Sequence, residues 1–201
     1  LDNRALGGIK VDIIMGRDAG WLAASAALAK RDERDAPHVI CVPEVPIEED
    51  RFLGHVEDAY RRFGFALAVV SENARGTEGV LGGQGDPWHV DEFGHPYFEG
   101  AGRHLSGLVG RHLKCRVRYE RPGTIQRSMT ACLSRTDAQE AEMVGRAAVR
   151  YAIGGASGQM VTLVRESGQQ YVCSTGLAPL SEVAGEVWSM PQEYFDPINY
   201  F

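Results

Sequence analysis

Cysteine is scarce and poorly placed for cross-linking. Cys41, Cys115, Cys132 and Cys173 lie far apart in the 201-residue chain and show no CxxC spacing, so neither a zinc site nor a disulfide framework is expected. Three of the four fall in apolar, strand-like runs, which predicts buried thiols in a reducing cytosol. Long hydrophobic runs are missing too. The one candidate for a targeting segment, WLAASAALAK (21–30), is approached through Arg17 and Asp18, with Asp2 and Asp12 further upstream. It is far too short to span a bilayer and has the wrong flanks for a signal peptide, so a soluble, cytoplasmic protein without a membrane partner is expected. Positive charge is not in excess: 21 Lys and Arg face 27 Asp and Glu, a formal net charge of −6. With the signs interspersed, no nucleic-acid partner is expected. A phosphate-cradling loop of the GxxxxGK[ST] kind is absent as well. GGQG (82–85) and GGASG (154–158) both lack the Lys-Ser/Thr pair, and the second feeds a strand instead of opening a helix, so both read as loop glycine.

What the chain does have is alternation. VDII (11–14) is followed by a helical pattern over about 20–31, then VICV (39–42), a second helical pattern over about 48–62, and ALAVV (66–70). Short apolar runs separated by periodic helices predict βαβ units and a parallel sheet covered on both faces. Residues 71–100 are rich in Gly, Asp and His without a sustained period, which marks a functional or mobile stretch. A helix over about 101–112 then leads to the strand KCRVRYE (114–120) and the loop RPGTIQRS (121–128). Thr136 with Gln139 three positions on predicts a capping box opening a helix that runs to Ile153, where Gly154 and Gly155 stop it. QMVTLVR (159–165) and QQYVCS (169–174) predict paired strands. The fold class is therefore expected to be α/β, a three-layer sandwich of parallel-sheet βαβ units.

In such a sheet, ligands bind outside the carboxyl ends of the strands. Four polar segments fall at such places: Met15-Gly16-Arg17, Ser71-Glu72-Asn73, Arg116/Arg118, and Gly123-Thr124-Ile125-Gln126-Arg127. A Gly-Arg-Asp by itself is an ordinary solvated turn. Here the glycine lets backbone approach a ligand, and an arginine beside the exposed N–H groups of a helix start suits a phosphate. Several cations around one crevice point to an anionic small molecule. His89, Asp91 and His95 have spacing that could hold a metal, but they lie among turn-forming prolines and a metal is not expected there. His104 and His112, eight apart on one helix, read as surface or core-edge residues.

MGRDAGWLA, VICVPE, VVSEN, DEFGH, RPGTIQRS, SRTDAQEAEMVGRAAVRYAIGGASGQMV and MPQEYFDP resemble, in that order, the sugar-phosphate half of the phosphofructokinase family, especially its pyrophosphate-dependent bacterial branch. The resemblance implies the phosphofructokinase fold, with residues 1–201 forming the substrate-binding region of a longer protein. It implies that Met15, Gly16 and Arg17 contact fructose 6-phosphate and that Glu72 accepts hydrogen bonds from its hydroxyls. Thr124, Gln126 and Arg127 match a segment whose arginine binds the 6-phosphate. Arg118 matches an arginine that reaches into a neighbouring subunit's site, which implies a homodimer or homotetramer, and Arg121 is an extra contact. The sequence departs from the family pattern at Ile14, Asp18, Asn73 and Thr124, which stand where the family usually has Glu, His, Gly and His. The donor loop, the magnesium-holding carboxylates and the catalytic aspartate belong to motifs upstream of MGR that are not among these residues. Asp2, only 13 positions before Met15, is not that aspartate. The activity implied is phosphoryl transfer from pyrophosphate to fructose 6-phosphate, with Mg2+ bound mainly by the missing half. ATP as donor, or a non-catalytic sugar-phosphate-binding subunit, are the alternatives.

Overall fold

The computed structural model describes residues 5–83, 89–94, 96–97, 100–196 and 199–200, with backbone alone for 96 and 97. Asp2, Gln84 and Gly85 of GGQG, Pro87, His95 and Pro197 lie outside the described residues. The chain forms two compact units, one made of 1–124 and 188–201, the other of 125–187.

The first unit is built on four parallel strands, β1 (Gly8–Ile14), β2 (Val39–Cys41), β3 (Phe65–Ser71) and β4 (Val117–Glu120), in the order β2-β3-β1-β4. β1 runs in register from Gly8 opposite Phe65 to Ile14 opposite Ser71, and its other edge pairs Ile9 with Val117 through Asp12 with Glu120. Alternation along β1 sends Ile9, Val11 and Ile13 to one face. There they pack with Val39, Cys41, Ala68 and Val70 beneath helices α2 (Glu49–Phe63) and α3 (Gly100–Leu113). α2 carries Glu49 and Asp50 in its first turn and Arg61 and Arg62 in its last, charges that favour the helix macrodipole. It ends at Gly64, whose left-handed φ of 77° lets its N–H return to the Tyr60 carbonyl at 2.8 Å.

The opposite face carries a smaller cluster of Ile40, Val42, Val69, Ala23 and Met190. It lies beneath α1 (Trp21–Ala24), a single α-helical turn continued by a 3-10 segment Ser25–Ala29. The sheet thus has helical layers on both faces, as expected, but the first helix is far shorter than the 20–31 pattern suggested. Ser25 Oγ donates to the Leu22 carbonyl at 2.7 Å, and Asp32 Oδ1 accepts the Arg34 N–H at 2.9 Å to form a turn. Both side chains compete with the helical ladder. Met190 of the returning residues 188–196 joins this cluster, while Tyr200 is buried in the first one, its hydroxyl accepting the Glu48 N–H at 2.7 Å and its carbonyl accepting the Ile40 N–H at 2.7 Å.

The second unit contains α4 (Ile125–Ser128), α5 (Arg135–Ile153), the antiparallel pair β5 (Gln159–Arg165) and β6 (Cys173–Pro179), and α6 (Leu180–Val183). Three sequence expectations shift here. The cap of α5 is Ser134, whose hydroxyl accepts the Asp137 N–H at 3.2 Å, because Ser134 already has the extended backbone a cap requires, whereas Thr136 is inside the helix. The second strand is CSTGLAP and not QQYVCS; register pairs Cys173 with Arg165 and Pro179 with Gln159, leaving 166–172 as the connection. The segment RPGTIQRS, read as loop throughout, is helical from Ile125.

The expectation of buried thiols holds for Cys41 alone. Cys115 and Cys173 are half-buried and Cys132 is exposed; Cys115 precedes β4 and Cys173 opens a strand in a unit where, among the described residues, Ala147 is the one buried hydrophobic. Burial pushes the Cys41 thiol far above its ordinary range. Among the described residues, no helix is long and apolar enough to cross a membrane.

Candidate functional site

The carboxyl ends of β1 and β3 leave the sheet side by side: Ile14 pairs with Ser71, and the next N–H, of Glu72, donates to the Ile14 carbonyl at 2.9 Å. Register alone therefore brings Met15-Gly16-Arg17 and Glu72 to one place, although Glu72 lies 55 positions after Arg17. Oε1 of Glu72 accepts the N–H groups of Gly16 and Arg17, each at 3.2 Å. Its other oxygen meets Nη2 of Arg121 at 3.1 Å.

The turn held by this carboxylate is strained. Arg17 has φ of 50°, uncommon for a residue with a side chain, and Gly16 has φ of 148°. A Cβ at Gly16 would also stand 2.7 Å from the Ala19 carbonyl oxygen, so glycine is required there on two counts. The outcome is an exposed Arg17 whose guanidinium has no partner among the described residues.

The backbone donors that the sequence offered to an anion are spent elsewhere. Gly16 and Arg17 serve Glu72, Ala19 donates to the Gly16 carbonyl at 3.1 Å, and Gly20 donates to Glu44 Oε1 at 2.9 Å. Since α1 is one turn long, charge for an anion comes from arginine side chains and not from a helix end. Glu44 was not singled out from the sequence as a site residue, although VICVPE contains it. The same Oε1 also accepts the Met190 N–H at 2.9 Å, fastening the returning segment to the start of α1.

Two departures from the family pattern touch each other: Asn73 Nδ2 and Arg75 Nη2 both lie 3.4 Å from Asp18 Oδ1. Arg75 carried no signal in the sequence, since it falls in the stretch without periodicity.

Arg118 acts on Asp12, whose carboxyl its positive charge pulls down. It stands on β4 level with Lys10, four residues before the end of β1, or roughly 13 Å along a strand rising about 3.3 Å per residue. Its neighbourhood is a charged sheet face. Lys10 Nζ lies 3.2 Å from Asp12 and 2.7 Å from Glu120. Burial lifts the Asp12 carboxyl above its ordinary range despite the opposing pull of Lys10. Burial also acts to lower the Lys10 ammonium, but Glu120 and Asp12 together raise it on balance. Thr124 is exposed at the end of the first unit, while Gln126 and Arg127 lie on α4 in the second, Arg127 exposed.

A cleft of about 470 Å³ opens between the start of α2 and the 76–82 loop, lined by Glu48, Glu49, Asp50, Glu78 and His104. Its acidic lining disfavours an anion, so the strand-end cluster is the better candidate. Among the described residues, no group of three or more His, Cys, Asp or Glu side chains could hold a metal ion. The described residues therefore do not by themselves fit the magnesium that the resemblance implies.

The model of the family described as phosphofructokinase matches residues 7–152. The chain is 33% identical over 181 residues to the pyrophosphate–fructose 6-phosphate 1-phosphotransferase of Halomonas elongata, covering 90% of this chain and 43% of that protein. It is 35% identical over 200 residues to the enzyme of the same name from Rhodospirillum rubrum, covering 96% and 49%. The crystal structure of a pyrophosphate-dependent phosphofructokinase from Marinobacter aquaeolei superposes with a TM-score of 0.80 at 31% identity, covering 100% of this chain and 47% of that one. The chain thus spans about half the length of the relatives it matches.

Proposed function

The chain belongs to the phosphofructokinase family, and from that premise we propose that it forms the sugar-phosphate side of an enzyme transferring a phosphoryl group from pyrophosphate to fructose 6-phosphate. The products are fructose 1,6-bisphosphate and orthophosphate. The observation that carries this reading is the exposed Arg17, whose backbone N–H is held at a strand end by the carboxylate of Glu72 and whose guanidinium has no partner among the described residues. In the first unit, Arg17 is a charge-assisted donor to the sugar phosphate, Glu72 orients the sugar hydroxyls, and Met15 and Gly16 shape the wall; Thr124, Gln126 and Arg127 keep the substrate-binding roles that the resemblance implies for them. Holding the acceptor in one pose accounts for this chain's share of catalysis. Donor binding, magnesium and the proton acceptor for the sugar's 1-hydroxyl belong to groups beyond these residues. Arg118 completes the site of a second subunit, so the working form is a homodimer or homotetramer, in the cytoplasm.

The test is calorimetric titration of the intact protein with fructose 6-phosphate, alongside Arg17→Ala. A tenfold or greater loss of affinity is expected, since a charge-assisted bond contributes about 1.5–3 kcal/mol and about 1.4 kcal/mol is tenfold. Unchanged affinity returns Arg17 to an ordinary surface turn. Turnover assayed with pyrophosphate against ATP decides the donor. Sugar-phosphate binding without turnover on either donor assigns the chain to a non-catalytic subunit.

A further inference from the structure

Arg121 enters the strand-end cluster from β4, the neighbour of β1 on the side away from β3. Pairing of Asp12 with Glu120 sets β4 in register, so the following residue leaves the sheet on the same side as Met15. Pro122 comes next, and a residue before proline is held extended, which aims the Arg121 side chain across the ends of the strands. It meets Glu72 Oε2 at 3.1 Å. Arg121 itself is about half exposed, whereas the Glu72 side chain is only 20% exposed, so the carboxylate is the shielded member of the pair and its environment decides its orientation.

Both oxygens of Glu72 are therefore engaged, one by the strained turn and the other by Arg121. Without Arg121 the second oxygen loses its cation, and rotation of the carboxylate would release the two N–H groups that keep Arg17 at φ 50°. Charge acts in the same direction. The charged residues of this turn and its contacts are Arg17, Glu72, Arg121, Asp18 and Arg75. Together they carry one net positive charge, and none when Arg121 is removed, which would leave the Glu72 carboxylate uncompensated beside an anion's place.

We infer that Arg121 is a positioning residue for sugar-phosphate binding: its guanidinium orients Glu72, and Glu72 in turn presents Arg17. This rests on the reading above that Arg17 and Glu72 bind a sugar phosphate. A residue acting only through Glu72 has an effect that disappears once Glu72 can no longer pair with it.

The experiment is a double-mutant cycle on the intact protein, reading the dissociation constant for fructose 6-phosphate by calorimetry for wild type, Arg121→Ala, Glu72→Ala and the double variant. Arg121→Lys is included for rescue, and urea denaturation confirms folding. Arg121→Ala is expected to weaken binding by roughly three- to tenfold in the wild-type background and by less than twofold in the Glu72→Ala background, with Arg121→Lys recovering at least half of the loss on a logarithmic scale. An equal loss in both backgrounds overturns the inference, because Arg121 would then touch the ligand independently. No loss in the wild-type background overturns it as well. Arg17→Ala separates the two levels: if Arg17→Ala and Glu72→Ala both leave affinity unchanged, the site reading itself fails. If they weaken binding and Arg121→Ala does not, only the positioning role fails.

Discussion

Replacing Glu44 by alanine should loosen the returning residues 188–196 from the rest of the first unit. Oε1 of Glu44 accepts two backbone N–H groups, from Gly20 and Met190, each at 2.9 Å. Alanine leaves both donors unmet. An unsatisfied buried donor costs about 1–3 kcal/mol. The site is half-buried, so water relieves part of this, and a total of roughly 2–4 kcal/mol is expected. Glu44→Gln keeps an acceptor oxygen in place but removes the charge, and neutral hydrogen bonds are about half as strong as charge-assisted ones, so a loss of about 1–2 kcal/mol is expected. The assay is urea denaturation followed by tryptophan fluorescence. Trp21 Nε1 donates to the Trp188 carbonyl at 2.8 Å and the two rings stand 5.6 Å apart, so the signal reports on this attachment directly. Equal losses below about 0.5 kcal/mol for both variants would refute the reasoning, since solvent would then satisfy the two donors as well as Glu44 does.

Ser134→Ala should cost about 1 kcal/mol of stability through loss of the α5 cap, while Thr136→Ala should cost less than half of that; the reverse order in chemical denaturation would restore the capping box suggested by the sequence. His38 should make stability depend on pH. Its imidazole lies between Phe63 and Phe65, with Nδ1 accepting the Leu67 N–H at 3.1 Å, and burial first, then Lys30, lowers it from its ordinary value of 6.5. A group whose folded value is depressed contributes stability that is present above about pH 6.5 and is lost as pH falls through the folded value. Unfolding free energy measured from pH 7.5 to 4.5 should fall less steeply in His38→Gln than in wild type; identical slopes would remove His38 from the account.

Much of the first unit was legible because its elements are set by short-range patterns. Apolar runs at 11–14, 39–42 and 66–70 correspond to β1, β2 and β3, since a strand between two helical layers must be apolar on both faces wherever it is covered. β1 departs from this where Lys10 and Asp12 occupy the second face beside Glu120. The 20–31 helix was overread because a run of alanine has helical propensity but little surface to bury, and Ser25 and Asp32 offered local alternatives. β6 was misplaced because a hairpin's register depends on which residues of its partner lie opposite, and both QQYVCS and CSTGLAP look extended.

The sequence by itself determined the layer order, the strand ends at which a ligand could sit and the family resemblance, because periodicity and motif order are properties of neighbouring residues. Only the tertiary structure decided how the cluster is wired. Glu72 meets Arg121 at a sequence separation of 49, Glu44 meets Met190 at 146, and Asp18 meets Arg75 at 57. Strand order and register create these contacts, and no local pattern encodes them. That is why Glu72, read from the chain as an open acceptor of sugar hydroxyls, is found in the fold as the hub that secures a strained turn.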